Sequence, residues 1–224
     1  MVQTLPFILE RDRIQSPAPT PQALTWHRGE LWMGSRDLSR IYRMERQRWR
    51  VLEEFEAPGI PWAMTSVSDA VWFTLGQGKD DDRYLWRYEP GRGFLDQKRI
   101  ACPEFTGSYL SYDGANLYLS QWYNHRILKL DSGGKIVRAI KVGAEISGHV
   151  VADDVIYVLC GTEQNGGDWR VARLDPREET PVVHELARVP FQCRSLAFDG
   201  MMFWTNHREA DRIVCFEIPA DSRE

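Results

Sequence analysis

The chain has 224 residues, 43% of them hydrophobic and 27% charged, with a net charge of −4. That is length for one large domain or two small ones, and the mildly acidic balance argues against a nucleic-acid binder, which presents a strongly basic face. No apolar run approaches the roughly 20 residues of a membrane-spanning helix, whereas 9 Trp and 8 Tyr among many short apolar runs favour strands.

The opening MVQTLPFILERDR carries a short apolar run, Leu5–Leu9, and then turns charged, so it reads as an extended strand and not as a secretory leader. Pro-rich SPAPTP (16–21) follows as a linker. Beyond it the chain repeats. LTWHRGELWMGSRDLSRIYRM, YLSYDGANLYLSQWYNHRILKL and SLAFDGMMFWTNHREADRIVCF each run apolar strand, tight turn, apolar-aromatic strand, polar loop, Arg, strand. Two weaker copies start at Ala63 and His149.

An aromatic anchor of the second strand recurs at Trp32, Trp72, Tyr118, Tyr157 and Trp204, in steps of about 40 to 47 residues. That is the period of a four-stranded propeller blade. Fourth strands follow in VLEEFEA, LDQKRIA, KIVRAIKV and PVVHELARV, but the fifth copy lacks one. The unassigned N-terminal strand supplies it, which closes the ring and removes two exposed sheet edges. The expected fold is therefore all-β: a single five-bladed β-propeller of four-stranded antiparallel blades. Its closing strand is expected at about 3–11 and its blades at about 22–57, 62–101, 107–142, 148–189 and 194–218.

An Arg stands just before the third-strand anchor at Arg40, Arg126, Arg170 and Arg212, and one place earlier at Arg83. A guanidinium repeated at one structural position suits loop capping or pairing with an acid. The four cysteines, Cys102, Cys160, Cys193 and Cys215, show no metal-binding spacing and fit reduced thiols of a cytoplasmic protein.

A site is expected on the face where blade-joining loops and second-to-third-strand loops converge on the channel. Its candidate ligand-binding residues are Trp62, Glu104, Tyr109, Trp122, His149, Arg194 and His207. Glu163, Gln164 and Asn165 lie in a loop of the same set. Aromatic side chains there suit stacking on a flat ligand. Glu104, Glu145, His149 and His207 carry oxygen and nitrogen donors, so a divalent metal is the one cofactor they suggest. Glu104 with Glu145 also forms a carboxylate pair of the kind used in glycoside hydrolysis. Cys193 with either His is a nucleophile–base combination without supporting spacing. No phosphate-cradling Gly loop, GxSxG or HExxH is present.

The phrases LAFDGMMFWTNHREADRIVCFEI and YDGANLYLSQWYNHRILKLD resemble repeats of the streptogramin-lyase-like, NHL and SMP-30/gluconolactonase propellers. The resemblance implies the fold, and a metal-dependent lyase or lactonase as an alternative activity. Gluconolactonase-like enzymes have six blades and an early Glu that binds metal, but here the first copy reads ALTWHRGELW. Streptogramin lyases have seven blades and a His/Glu cluster. Plant-type glutaminyl cyclases share the five-blade count, but their Gln-Gly-Leu-Glu opening is absent. The leading expectation is a monomer that binds a small molecule or peptide on the channel face, with a protein-interaction scaffold as a further alternative.

Overall fold

The computed structural model describes residues 5–161 and 167–220. Residues 3 and 4 of the expected closing strand and the loop residues Glu163, Gln164 and Asn165 lie outside them. The chain forms five antiparallel sheets arranged as a β-propeller. After β1 (Leu9–Gln15), blade 1 comprises β2 (Pro21–His27), β3 (Glu30–Ser35), β4 (Arg40–Met44) and β5 (Val51–Glu56). Blade 2 holds β6 (Ile60–Val67), β7 (Ala70–Gln77), β8 (Asp82–Glu89), β9 (Gly93–Phe94) and β10 (Ile100–Ala101). Blade 3 holds β11 (Leu110–Tyr112), β12 (Leu117–Gln121), β13 (Arg126–Leu130) and β14 (Ile136–Lys141). Blade 4 holds β15 (Ile146–Ala152), β16 (Val155–Cys160), β17 (Trp169–Leu174) and β18 (His184–Val189). Blade 5 has β19 (Cys193–Phe198), β20 (Phe203–His207) and β21 (Arg212–Glu217), with β1 completing it on β21.

The core is divided among the seams between blades. Trp32 packs with Met64, Phe73 and Trp86 between blades 1 and 2, and Trp72 against Leu110 and Leu119 between blades 2 and 3. Tyr118 joins Ile146 and Val158 between blades 3 and 4, and Tyr157 packs at a tilt against Phe203 between blades 4 and 5. Trp204 meets Leu24 and Trp26 between blades 5 and 1. Each aromatic anchor thus fills the seam to the next blade, which is why the sequence spaces one per blade. A blade alone buries only one face, so the stack is stable as a closed ring.

The closing strand sits later than 3–11, and the reason is physical. The apolar run is used at the seam: Arg188 donates its backbone N–H to the Pro6 carbonyl at 2.8 Å, and Ile8 donates to the Arg188 carbonyl at 3.0 Å. Ile8 thereby enters the core between blades 4 and 5. The following LERDRIQ pairs with β21, from Leu9↔Glu217 to Gln15↔Arg212. An outermost strand faces water, so this charged stretch suits it better than the apolar one. Blade 2 differs too. Its fourth strand is split into β9 and β10 around a 3₁₀ turn at Asp96–Lys98.

The registered arginines pair with acids or cap. Arg40 bonds Glu54 and Glu56, Arg126 bonds Glu104, Arg170 bonds Asp168 and Glu185, and Arg212 bonds the Gln15 side chain. Arg83 also pairs with an acid, Asp81, but does so in the wall of the channel-mouth cavity.

Candidate functional site

The five first strands β2, β6, β11, β15 and β19 surround the axis, and the ladder between first and second strand is interrupted near the channel mouth in four of them. Between Pro21 and Ala23 the extra residue is Gln22, and between Pro61 and Ala63 it is Trp62. Between Ile146 and Gly148 it is Ser147, and β19 shifts after Arg194. In blade 3 the position just before β11 is Tyr109. A bulge breaks the alternation and re-aims a side chain. At these bulges, and without one just before β11, Gln22, Trp62, Arg194 and Tyr109 come to one end of the channel, where Gln22 bonds the Tyr109 hydroxyl and the other three line one cavity.

These residues bound a cavity of about 440 Å³ lined by Arg36, Trp62, Arg83, Ser108, Tyr109, Trp122, Tyr123, Glu145, Arg194 and Arg208. All five blades or their connecting loops contribute. Among these lining residues four are arginines and one is an acid. The guanidinium carbons of Arg36 and Arg83 lie 5.0 and 3.9 Å from the centroid of the Trp62 ring. That of Arg194 lies 5.2 Å from Trp122 and 4.9 Å from Trp169. Such stacks hold the charge in place and leave the guanidinium edge for hydrogen bonding.

The supports are specific. Asp81 accepts from Trp62 Nε1 at 3.2 Å and from Arg83 Nη2 at 2.5 Å, and Arg83 Nη1 donates to the Gly107 carbonyl at 3.0 Å. Burial pulls the Arg83 pKa below the usual arginine value, against the pull of Asp81. Gly76 makes room for this cluster, since a Cβ there would collide with the Asp81 carboxylate and the Trp62 indole. Gly148 has a comparable role nearer the axis, where a Cβ would lie 2.6 Å from the Ser195 backbone.

Of the sequence candidates, Trp62, Tyr109, Trp122, Arg194 and Glu145 line the cavity. The others lie elsewhere. Glu104 accepts from Arg126 Nη2 at 2.8 and 3.0 Å and from Asn124 at 3.2 Å, on an outer rim. His149 is 1% exposed: its Nε2 donates to the Tyr109 carbonyl at 3.1 Å, so Nδ1 accepts from the Ser111 hydroxyl at 2.8 Å. Burial brings the His149 pKa down to about 4. His207 stacks on Phe191 with centroids 4.5 Å apart, and its Nδ1 accepts from Arg13 at 2.9 Å, beneath the closing strand. Burial and the neighbouring Arg13 lower its pKa.

Among the described residues no group of three His, Cys, Asp or Glu converges as a metal site. Ser111 with His149 has nucleophile–base geometry but lines no part of the cavity. Burial pushes the Cys193 thiol up to about 12, which keeps it protonated and unreactive near neutral pH. The cavity therefore offers mainly positive charge, aromatic faces and hydrogen-bond donors, with the Glu145 carboxylate as its one acid.

Sequence reading passed over Gln22 and Arg83. Gln22 carries no periodic signal, because a single bulge residue leaves no pattern in a short strand. Arg83 did carry one, its displacement by one place from the other four arginines.

No known family pattern matches the chain, and no curated protein matches it in sequence. Solved structures do match in fold. Glutaminyl cyclase of Myxococcus xanthus superposes with a TM-score of 0.73 at 12% identity, over 95% of this chain and 96% of that one. Regucalcin of Agrobacterium tumefaciens, described as a calcium-binding protein, gives 0.61 at 11% identity, over 96% of each chain. Virginiamycin B lyase of Staphylococcus aureus gives 0.54 at 18% identity, over 92% of this chain and 69% of that one. The propeller is thus shared with proteins of varied activity, and the repeat-level likeness to lyase and SMP-30-type proteins extends to the whole fold.

Proposed function

We propose that the protein binds a small molecule in the channel-mouth cavity, without contributing acid–base or nucleophilic chemistry to it. The observation that carries this reading is the convergence of Trp62, Tyr109, Trp122 and Arg194, from three blades, on one cavity of about 440 Å³. That volume falls within the range of small-molecule sites, and an apolar wall with a few fixed polar groups is their usual lining. The absence of a nucleophile–base pair facing the cavity among the described residues favours binding over catalysis.

The test is a fragment screen by ligand-observed NMR on the full chain, repeated on Trp122→Ala and Arg36→Ala. Arg36 is exposed on the rim and takes part in no ion pair among the described residues, so its removal leaves the fold intact. Fragments that bind the native protein and lose their signal with both variants support the reading. Hits indifferent to both variants, or no hits at all, overturn it.

A further inference from the structure

The proton positions in the cavity floor follow from which groups can only donate. Arg208 Nη1 lies 2.6 Å from the Gln22 side-chain oxygen, and a guanidinium has no acceptor, so the Gln22 amide oxygen must face Arg208. Its nitrogen then faces the other way, 3.0 Å from the Tyr109 hydroxyl and 3.3 Å from the Trp62 carbonyl. The carbonyl can only accept, which fixes the same orientation independently. Gln22 therefore donates to the Tyr109 oxygen, and the Tyr109 proton is left to point away from Gln22.

Tyr109 is 3% exposed and Gln22 fully buried, so this is a built arrangement inside the protein. Among the described residues nothing accepts the Tyr109 proton. A buried hydroxyl donor without an acceptor is costly, and an incoming ligand atom removes the cost. The Tyr109 phenol is kept protonated by its burial, which outweighs the opposing pull of the Arg194 and Arg208 charges. Arg194 and Arg208 line the same cavity as Tyr109, and Arg208 shares Gln22 with it as a hydrogen-bond partner.

We infer that the cavity floor is a donor-only cradle, built by Tyr109, Arg194 and Arg208 and oriented by Gln22, that takes the oxyanion end of a planar acid. The remainder of the acid lies against the indoles of Trp62 and Trp122. The oxyanion is a carboxylate or a phosphate, and both present acceptor oxygens to such donors. Gln22 is a positioning residue: it acts on the ligand through the direction of the Tyr109 proton. This inference rests on the proposed small-molecule binding at the same site.

The experiment uses matched probes: 2-naphthoate against 2-naphthamide, and 2-naphthyl phosphate against 2-naphthol, titrated by calorimetry into the full chain. The expected result is that an acid binds at least about tenfold tighter than its neutral partner, since charge-assisted hydrogen bonds are the stronger kind. Whichever acid shows the larger ratio identifies the oxyanion. Tyr109→Phe keeps the ring and removes only the donor. It is expected to weaken the acid by about three- to tenfold and the neutral probe, whose oxygen is a weaker acceptor, by less. Gln22→Glu offers the Tyr109 proton an acceptor inside the protein, and the same selective loss is expected with the melting temperature monitored alongside. Equal binding of acid and neutral partner, or a Tyr109→Phe effect that falls equally on both, overturns the cradle while leaving small-molecule binding standing. No binding by any of the four probes overturns both readings.

Discussion

The guanidinium of Arg83 lies over the indole of Trp62, 3.9 Å from the ring centroid, and reaches past it to the Asp81 carboxylate at 2.5 Å. Register explains why this arginine alone of the five turns inward. Arg40 pairs across its blade with Ser35, directly beside the anchor Ile41. Arg83 pairs with Gly76, two places from its anchor Leu85. Side chains alternate along a strand, so one place of displacement moves Arg83 to the opposite side of its sheet. It then serves the cavity wall, whereas Arg40, Arg126 and Arg170 serve rim ion pairs and Arg212 bonds the Gln15 side chain.

Replacing Arg83 should therefore cost more than replacing a rim arginine. Arg83→Gln removes the stack on Trp62 and strands the Asp81 carboxylate, for an expected loss of about 1–2 kcal/mol. Arg83→Lys keeps the charge without the planar stack and should fall between the two. Arg40→Gln, whose side chain is 40% exposed, should cost well under about 1 kcal/mol. Urea denaturation of the three variants checks the order, and equal effects at positions 83 and 40 would show that the inward turn has no energetic weight.

The blade count was legible because each seam needs one large aromatic and the chain supplies it at a fixed spacing, from Trp32 to Trp204. The position of the closing strand was not, because hydrophobicity marks burial and not pairing. Ile8 is buried at a seam, whereas the ladder is made by the charged residues after it. The site was half legible. Trp62, Tyr109, Trp122 and Arg194 stood in the converging loops, but loop position could not separate them from Glu104 or His207. Glu104 is claimed by Arg126, and His207 by Phe191 and Arg13. Those pairings join residues far apart in sequence and leave no periodic mark, and a bulge of one residue, as at Gln22 or Trp62, has no period to read either.

The buried His149 makes stability pH-dependent. Its ring is neutral in the fold, with a pKa of about 4, against an ordinary value of 6.5. Above pH 6.5 it is neutral in both folded and unfolded chains and has no effect on the balance. As pH falls from 6.5 toward 4 only the unfolded chain takes up the proton, so stability is lost across that window, to a total of about 3 kcal/mol. His27, lowered mainly by burial and paired with Ser66 at 2.8 Å, adds in the same direction. Denaturation midpoints measured from pH 7.5 to 4 should fall for the native chain and fall less for His149→Gln. A parallel decline in both would assign the acid sensitivity to other groups.

Glu104, Glu145, His149 and His207 occupy separate places in the fold, and His149 has both ring nitrogens engaged. Protein purified without chelator should therefore carry no stoichiometric divalent metal by elemental analysis. Added calcium, manganese or zinc should leave the melting temperature unchanged, because an ion that binds only the folded chain would raise it. About one ion per chain that disappears with Glu145→Ala would instead show that the cavity closes around a cation, and would raise the lyase or lactonase alternative above simple binding.

The ring is closed by a segment far from its partner in sequence, which makes closure testable in trans. Ile14 is 8% exposed between blades 5 and 1, while the other residues of β1 are exposed and contribute mainly ladder hydrogen bonds. A chain lacking residues 1–15 leaves β21 as an open edge and uncovers Val214 and Ile213 at the seams. An unpaired edge of this kind templates association. The truncated chain should scatter light on warming and lose its near-ultraviolet signal, and a synthetic peptide spanning residues 5–17 should restore both. The single change Ile14→Asp, which places a carboxylate in that seam, should cost at least about 3 kcal/mol in the intact chain. A truncated chain that keeps the native melting temperature without the peptide would mean that four complete blades and three strands of the fifth hold the ring unaided.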